Sequence, residues 1–286
     1  MVAKSNPTFY EAHQWASIFL DTHGHTQTSA QHYFLWLFDW NLTQWVMNQS
    51  NRMTDHEWAW VQDAFQRIIN HEPIQYIVGY QEFMGHRFKV TADTLIPREE
   101  TRGLIDLVMG EQGQVPKTPK VLDIGTGTGI LPIMLKKLWP QAQVTGSDIS
   151  LAALDVAKEN ARSHQVEVEW IHSDLCQDLP PVHYDLILSN PPYIGSNELD
   201  VMDESVKRFE PSLALFAENQ GLALYQALAQ QIGDYLSPQG LIVLEIGYCQ
   251  GLAVQALFQA VFPKAQITIH RDYQGLDRYV KILRKE

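Results

Sequence analysis

Apolar and polar positions along this chain follow two different periods. Over residues 8–71 the repeat is helical. Tyr10, Gln14 and Ile18 fall near one face, with Trp15 and Phe19 supporting it. Phe34, Leu37, Phe38 and Leu42 repeat the pattern, as do Trp58, Val61, Phe65 and Ile68-Ile69. Thr54 with Glu57 three residues on reads as a capping box, and Thr28 or Ser29 is the candidate cap of the helix before. Pro73 should end the third run. Six of the eight tryptophans lie before residue 61. They either fill the core of a small helical bundle or leave some rings as a docking face for a protein partner. The pattern itself does not separate the two.

From residue 74 to 96 the character changes. Tyr76, Val78, Phe83, Phe88 and Val90, broken by Gly79 and Gly85, predict a β-hairpin joining two domains. Gly110 to Pro119 reads as a loop. Beyond it, short apolar runs alternate with helical ones. Strands are expected at 121–124, 144–148, 168–172, 186–189, 241–245, 266–270 and 279–283. Helices are expected at 129–139, 151–164, 221–235 and 250–261, with Pro132 tolerated in a first turn. The last two strands share a short loop and should run antiparallel. The fold class is therefore α/β: a mostly parallel, seven-stranded, Rossmann-like sheet with a small N-terminal helical domain. The expected boundaries are a helical domain over 1–72, a β-hairpin linker over 73–96 and the sheet domain over 97–286.

Size and charge narrow the function. A chain of 286 residues with 45% hydrophobic content can bury roughly three quarters of its unfolded surface, and needs no staples. No apolar run approaches the roughly 20 residues that span a bilayer, and the N-terminus lacks a signal-peptide core. Cys176 and Cys249 form no CxxC pair, so neither a disulfide framework nor a zinc site is expected. His13 and His23-Gly24-His25 read as scattered loop histidines rather than metal ligands. The cytoplasm and a monomer are the simplest expectations. The net charge of −12, with only Lys4, Arg52 and Arg67 as cations in residues 1–85, argues against stable binding of nucleic acid.

Chemistry enters at the strand ends. Asp123-Ile124-Gly125-Thr126-Gly127-Thr128-Gly129 follows the first strand of the sheet. Its glycines permit positive φ and close approach of a ligand. A dinucleotide fingerprint would place its third glycine where Ile130 stands. The Gly-x-Gly-x-Gly spacing instead suits S-adenosylmethionine, which has no pyrophosphate. Asp123 would face its amino-acid half, and Asp148, ending the second strand, would accept from both ribose hydroxyls. Asp174 and Leu175, ending the third, would border the adenine. Asp148 or Asp174 taken alone could equally be an exposed strand-terminal carboxylate.

The second site is Asn190-Pro191-Pro192-Tyr193, which follows the strand Leu186 to Ser189. An amide nitrogen is a poor nucleophile because its lone pair is delocalised. The Asn190 side-chain oxygen and the Pro191 carbonyl can each accept one N–H, and two prolines hold those acceptors rigid. Tyr193 could pack on the flat face of the amide. Glu245, ending a strand nearby, reads as structural.

These residues resemble the methyltransferases that modify planar NH2 groups, and most closely the peptide chain release factor glutamine methyltransferases. Val121 to Gly129 and Ser189 to Ile194 carry the resemblance. So do Pro73 to Gly79 with Phe83, Leu95-Ile96-Pro97-Arg98, and Arg208-Phe209-Glu210-Pro211 with Ala214-Leu215. The resemblance implies a class I methyltransferase sheet. It implies methyl transfer from S-adenosylmethionine to the side-chain nitrogen of the glutamine in a release factor's Gly-Gly-Gln motif, with the helical domain helping to hold that factor. It further implies that Gly125, Thr126, Gly127, Thr128, Gly129, Asp148 and Asn190 contact the donor, and that Asn190 to Tyr193 hold the glutamine. Two positions depart from the family pattern. Pro97-Arg98-Glu99-Glu100-Thr101 stands where relatives often read Pro-Arg-Pro-Asp-Thr, so Glu100 would replace an aspartate. Leu175 stands where many relatives carry an aromatic. Arg98 and Glu100 are candidate substrate contacts, with a surface ion pair as the plainer account. The alternatives are glutamine methylation of a ribosomal protein, adenine-N6 methylation of nucleic acid, and a non-catalytic scaffold.

Overall fold

Residues 6–26, 29–195, 198 and 202–285 are described by a computed structural model. The chain folds as two compact units. One comprises Met1–Gly79 and Asp203–Phe209; the other comprises Tyr80–Met202 and Glu210–Glu286.

The first unit is helical. It contains α1 (Phe9–Thr22), α2 (Ser29–Phe38), α3 (Leu42–Asn48), α4 (Asp55–Ile69) and α5 (Ile74–Val78). Capping boxes start three of them: Thr8 with Glu11, Asn41 with Gln44, and Thr54 with Glu57. Each satisfies backbone N–H groups that a helix start leaves orphaned. Of the two candidate caps for α2, Ser29 is already its first helical residue and Thr28 lies outside the described residues.

The buried face of α1 differs from the expected one. Phe9, Ala12, Ala16 and Leu20 are buried, while Tyr10 and Ile18 are 48% and 65% exposed. Small alanines at 12 and 16 let the helix approach its neighbours closely, and large apolar residues were a poor guide to that face. Leu42 is likewise exposed. Trp45 is buried, and Trp15, Trp36, Trp40, Trp58 and Trp60 pack against the same core, so the rings mostly fill the bundle.

The stretch after Pro73 is not one hairpin. Ile74–Val78 is helical, because Pro73 fits just before a first turn and Gly79, at φ 82°, ends the helix in the left-handed conformation. Only then does the hairpin of β1 (Tyr80–Phe83) and β2 (His86–Lys89) form, in the second unit. Its turn residues Met84 and Gly85 both have positive φ, as a two-residue hairpin turn requires.

A helix that the pattern did not predict follows, α6 (Arg102–Gly110). Next come β3 (Lys120–Ile124), α7 (Ile130–Leu138), β4 (Gln143–Asp148), α8 (Leu151–Ser163), β5 (Glu169–His172) and β6 (Tyr184–Ser189). The short helix α9 (Glu204–Phe209) belongs to the helical unit. The sheet unit resumes with α10 (Ser212–Leu215), a kinked turn α11 (Glu218–Gly221) and α12 (Ala223–Gln231). It closes with β7 (Leu236–Glu245), α13 (Gly251–Val261), β8 (Gln266–Arg271) and β9 (Asp277–Leu283). The helix expected from Gly221 starts two residues later, since Gly221 is left-handed, and β7 begins five residues before the expected strand.

The seven strands lie in the order β5-β4-β3-β6-β7-β9-β8. All neighbours are parallel except β7 with β9 and β9 with β8. Alternation along each strand serves two cores. Val121, Leu186, Leu188, Leu241 and Val243 enter the one with α6 and α7; Leu122, Ile187, Ile242 and Leu244 enter the one with α12 and α13. The chain order reverses beside β3, between β4 on one side and β6 on the other. Ligands bind beyond the carboxyl ends of strands at such a switch point.

Candidate active site

A cavity of about 210 Å³ opens there, lined from the ends of β3, β4, β5 and β6 and from the segment Asp93–Arg98 with Thr101. Its donor side is built around the glycine loop. Gly125, Gly127 and Gly129 all adopt positive φ (75°, 53° and 79°), which only glycine takes at little cost. A side-chain carbon on Gly125 or Gly127 would meet nothing within 4 Å, so the loop presents an open backbone face. The loop is tied to the next strand: Gly125 N–H and Thr126 N–H both donate to Ser147 O at 2.9 Å. Asp148 completes the tie, accepting from Gly127 N–H on Oδ2 (2.8 Å) and from Ser150 N–H on Oδ1 (2.9 Å). Burial raises the Asp148 pKa, and these backbone donors oppose the rise. Asn160, buried on α8, pins the loop from behind, with its Nδ2 donating to Thr128 O at 2.9 Å.

Asp123 is the unusual group. It is 1% exposed, lines the cavity, and neither carboxyl oxygen has a hydrogen-bond partner among the described residues. Burial pushes its pKa up to about 7; Thr126 nearby draws it down in part, and the Asp148 charge adds to the rise. A buried carboxyl without partners is costly, and a ligand that brings a cation removes the cost. The ammonium of the amino-acid part of S-adenosylmethionine is such a cation, so these residues fit that donor.

The acceptor side starts where β6 ends. Asn190 Nδ2 donates to Thr101 Oγ1 at 3.3 Å, and the Thr101 hydroxyl donates to the buried Glu245 carboxylate at 2.9 Å. Among the described residues no group donates to Asn190 Oδ1 or to the Pro191 carbonyl, so both acceptors remain unspent. Asn190, Pro191 and Pro192 line the cavity.

The structure brings most of the expected residues together and leaves three apart. Gly125, Thr126, Gly127, Thr128, Asp148, Asp174, Leu175 and Arg98 all line the cavity with the Asn-Pro-Pro run. Gly129 does not line it, and serves instead as the left-handed start of α7. Leu175 sits at φ 51°, a conformation braced by the Ser173 hydroxyl donating to Leu175 O at 3.0 Å. Tyr193 is not among the lining residues. Its ring packs on the core beside α12 and α13, its carbonyl accepts from Gln250 Nε2 at 2.9 Å, and burial pushes its hydroxyl up to about 12. Glu100 also lies outside the lining, where its carboxylate accepts from the Tyr273 hydroxyl at 3.1 Å. The alternative account of Arg98 and Glu100 as an ion pair is not met: Arg98 pairs with buried Glu210, whose other oxygen accepts from Ile96 N–H at 3.2 Å. Glu210 therefore fixes the Leu95–Arg98 wall. Thr101 and Ile149 are among the lining residues to which the sequence reading gave no role. Thr101 matches the threonine of the family's Pro-Arg-Pro-Asp-Thr, and that match was the available signal. Ile149, 45% exposed directly after Asp148, offers an aliphatic surface for a flat ring, and its place after a strand-end acid could have indicated it.

Comparison with known proteins gives the family. The family model described as "Methyltransferase small domain" matches residues 106–213, and that of the "PrmC N-terminal domain" matches residues 11–79. The release factor glutamine methyltransferase of Lactococcus lactis subsp. lactis (strain IL1403) is 43% identical over 251 residues, covering 87% of this chain and 92% of that protein. The protein of the same name from Enterococcus faecalis (strain ATCC 700802 / V583) is 39% identical over 270 residues, covering 94% and 97%. A methyltransferase structure from Pyrococcus furiosus superposes with a TM-score of 0.52 at 13% identity, covering 79% of this chain and 100% of that one; it speaks for the fold alone. With relatives this similar along nearly its whole length, the chain belongs to the release factor glutamine methyltransferase family.

Proposed function

We propose that this enzyme transfers a methyl group from S-adenosylmethionine to the side-chain amide nitrogen of the glutamine in the Gly-Gly-Gln motif of peptide chain release factors. The observation that carries the reading is the pair of unspent acceptors, Asn190 Oδ1 and Pro191 O, at the end of β6 in the same cavity as the orphaned Asp123 carboxyl.

The donor, when bound, supplies an electrophilic methyl on a sulfonium. Asp123, Asp148 and the open glycine face bind and orient it. Asn190 Oδ1 and Pro191 O each take one N–H of the substrate carboxamide, which turns its nitrogen toward the methyl and stabilises the positive charge that grows there. Alignment of this kind can supply on the order of 7–11 kcal/mol of barrier. No strong base is needed, because an N-methylated amide cation sheds its proton readily. Arg98, fixed by Glu210, edges the acceptor side and contacts the approaching substrate loop. Tyr193 acts from beneath, holding the backbone after the two prolines.

The wider reading has the helical unit helping to hold the release factor, a cytoplasmic monomer, and no stable grip on nucleic acid. The net charge of −12 supports the last point, and no helix among the described residues is long and apolar enough to cross a membrane. The test is incubation with labelled S-adenosylmethionine and, separately, release factor, ribosomal protein or DNA. Label on the Gly-Gly-Gln glutamine alone is expected. Label on a ribosomal protein or on adenine would overturn the substrate assignment.

A further inference from the structure

We infer that Thr101 and Glu245 form a polarity relay that decides which end of the Asn190 carboxamide faces the substrate, and that a proton on Glu245 reverses it. The inference deepens the methyl-transfer reading and rests on it, because it concerns the acceptor role of Asn190.

A carboxamide has a donor end and an acceptor end of nearly the same shape. Turned through a half circle it fits the same space, so something must choose. Prolines fix the backbone at Asn190 but not this choice. Thr101 makes it. Its hydroxyl owns one proton and stands 2.9 Å from Glu245 Oε2 and 3.3 Å from Asn190 Nδ2. An ionised carboxylate only accepts, so the Thr101 proton must go to Glu245. What Thr101 then offers Asn190 is a lone pair, and only the Nδ2 end can answer it. Oδ1 is left for the substrate. With a proton on Glu245 Oε2 the order inverts. Glu245 donates to Thr101, the Thr101 proton turns to Asn190, and Oδ1 is drawn inward. The amide end then meets the substrate N–H donor to donor. No bond other than hydrogen bonds changes, and the only proton exchanged with solvent is the one on Glu245.

The surroundings of Glu245 make the switch accessible near neutral pH. It is 1% exposed at the end of β7. From α12, the Tyr225 hydroxyl donates to the Glu245 backbone carbonyl at 2.7 Å. Across the register, Tyr279 of β9 spends its hydroxyl on Glu100 O at 2.6 Å. Arg278, also on β9, is paired with Asp272 at 3.2 Å, and Arg98 is paired with Glu210. Glu100 adds a like charge, and the nearby Tyr193 stays neutral. Both facing cations thus serve other carboxylates, burial dominates, and the Glu245 pKa rises to about 7. Thr101 and Glu245 are positioning residues: neither needs to touch the reacting atoms.

The test has two arms on the full chain. The first follows the side-chain NH2 resonances of Asn190 by nitrogen-15 NMR across pH 5.5–8.5 without substrate. In the native protein they should shift with a midpoint near 7, and in Thr101→Val and Glu245→Gln that shift should vanish. The second measures kcat at saturating donor on a release factor. Thr101→Val should lose on the order of ten- to a hundredfold, the range for removing an outer partner of a site residue, with donor Kd unchanged; Thr101→Ser should regain most of it. The native kcat should fall below pH 7, and Glu245→Gln should erase that inflection. A wild-type kcat in Thr101→Val, an inflection that persists in Glu245→Gln, or Asn190 resonances that ignore pH would overturn the relay. If the native protein methylates no glutamine, the functional reading fails instead, and the NMR arm still judges the relay.

Discussion

On the donor side of the cavity, three left-handed glycines lie within five residues, and the N–H groups of Gly125, Thr126 and Gly127 tie the loop to Ser147 and Asp148, one strand away. On the acceptor side, Asn190 reaches 89 residues back along the chain to Thr101, which in turn bonds Glu245, 144 residues further on. The first half is rigid because backbone conformation is dictated locally. The second is rigid because a fold brings distant side chains into one hydrogen-bonded line. The two halves should therefore fail separately. Damage to the donor side should appear in affinity for S-adenosylmethionine, and damage to the acceptor side in turnover with the donor already bound.

The largest effect should come from Asn190→Ala. Removing one preorganised polar contact to a developing charge costs on the order of 10²–10³ in rate. Single-turnover kinetics at saturating donor should show that loss, with donor Kd changed by no more than a few fold. A comparable drop in donor affinity would merge the two halves into one.

Next is Asp123→Asn. Donor binding pairs this carboxyl with a cation and needs it ionised, so affinity should climb as pH rises toward about 7 and then level, with proton release on binding below that pH. Calorimetry at several pH values should find the climb in the native protein. The variant should lose it, and at pH 8 should bind on the order of tenfold or more weakly, as fits about 1.5–3 kcal/mol for a charged hydrogen bond. The sign for stability is opposite. The folded-state pKa is raised above the ordinary 3.8, so the stability this group contributes at low pH is lost as pH climbs through about 7. The ligand-free native protein should therefore melt lower at pH 7.5 than at pH 5, and Asp123→Asn should flatten part of that slope, leaving the share of Glu245. A donor Kd that rises with pH would contradict the pairing.

The smallest of the three is Asp148→Ala. It removes two backbone ties from the loop and, on the proposed reading, an acceptor for the ribose, which should weaken donor binding by about 1–3 kcal/mol while kcat at saturation holds. Unchanged affinity would remove Asp148 from the donor half.

The same contrast explains what the sequence made legible. The succession of strands and helices, the glycine loop and the strand-end acids follow from local pattern, and the loop is where the pattern placed it. Asn190 and its prolines were legible for the same reason, since rigidity there is written in consecutive residues. Thr101 and Glu245 were not, because their meaning exists only once β6, β7 and the start of α6 converge. Glu100 misled by standing two residues from Arg98 in sequence, while the buried partner Glu210 came from 112 residues away. Tyr193 misled in another way. Its ring is drawn into the core by the packing of α12 and α13, a force that a four-residue motif does not reveal. In the helical unit, Ala12 and Ala16 carried the packing face that Tyr10 and Ile18 seemed to claim.

A crystal structure with the demethylated donor and a release factor bound would test the central claim most directly. It should place the glutamine nitrogen within hydrogen-bond distance of both Asn190 Oδ1 and the Pro191 carbonyl, on the side facing the donor sulfur. A glutamine held elsewhere, or Asn190 presenting its Nδ2 to that nitrogen in crystals grown well above pH 7, would contradict the account.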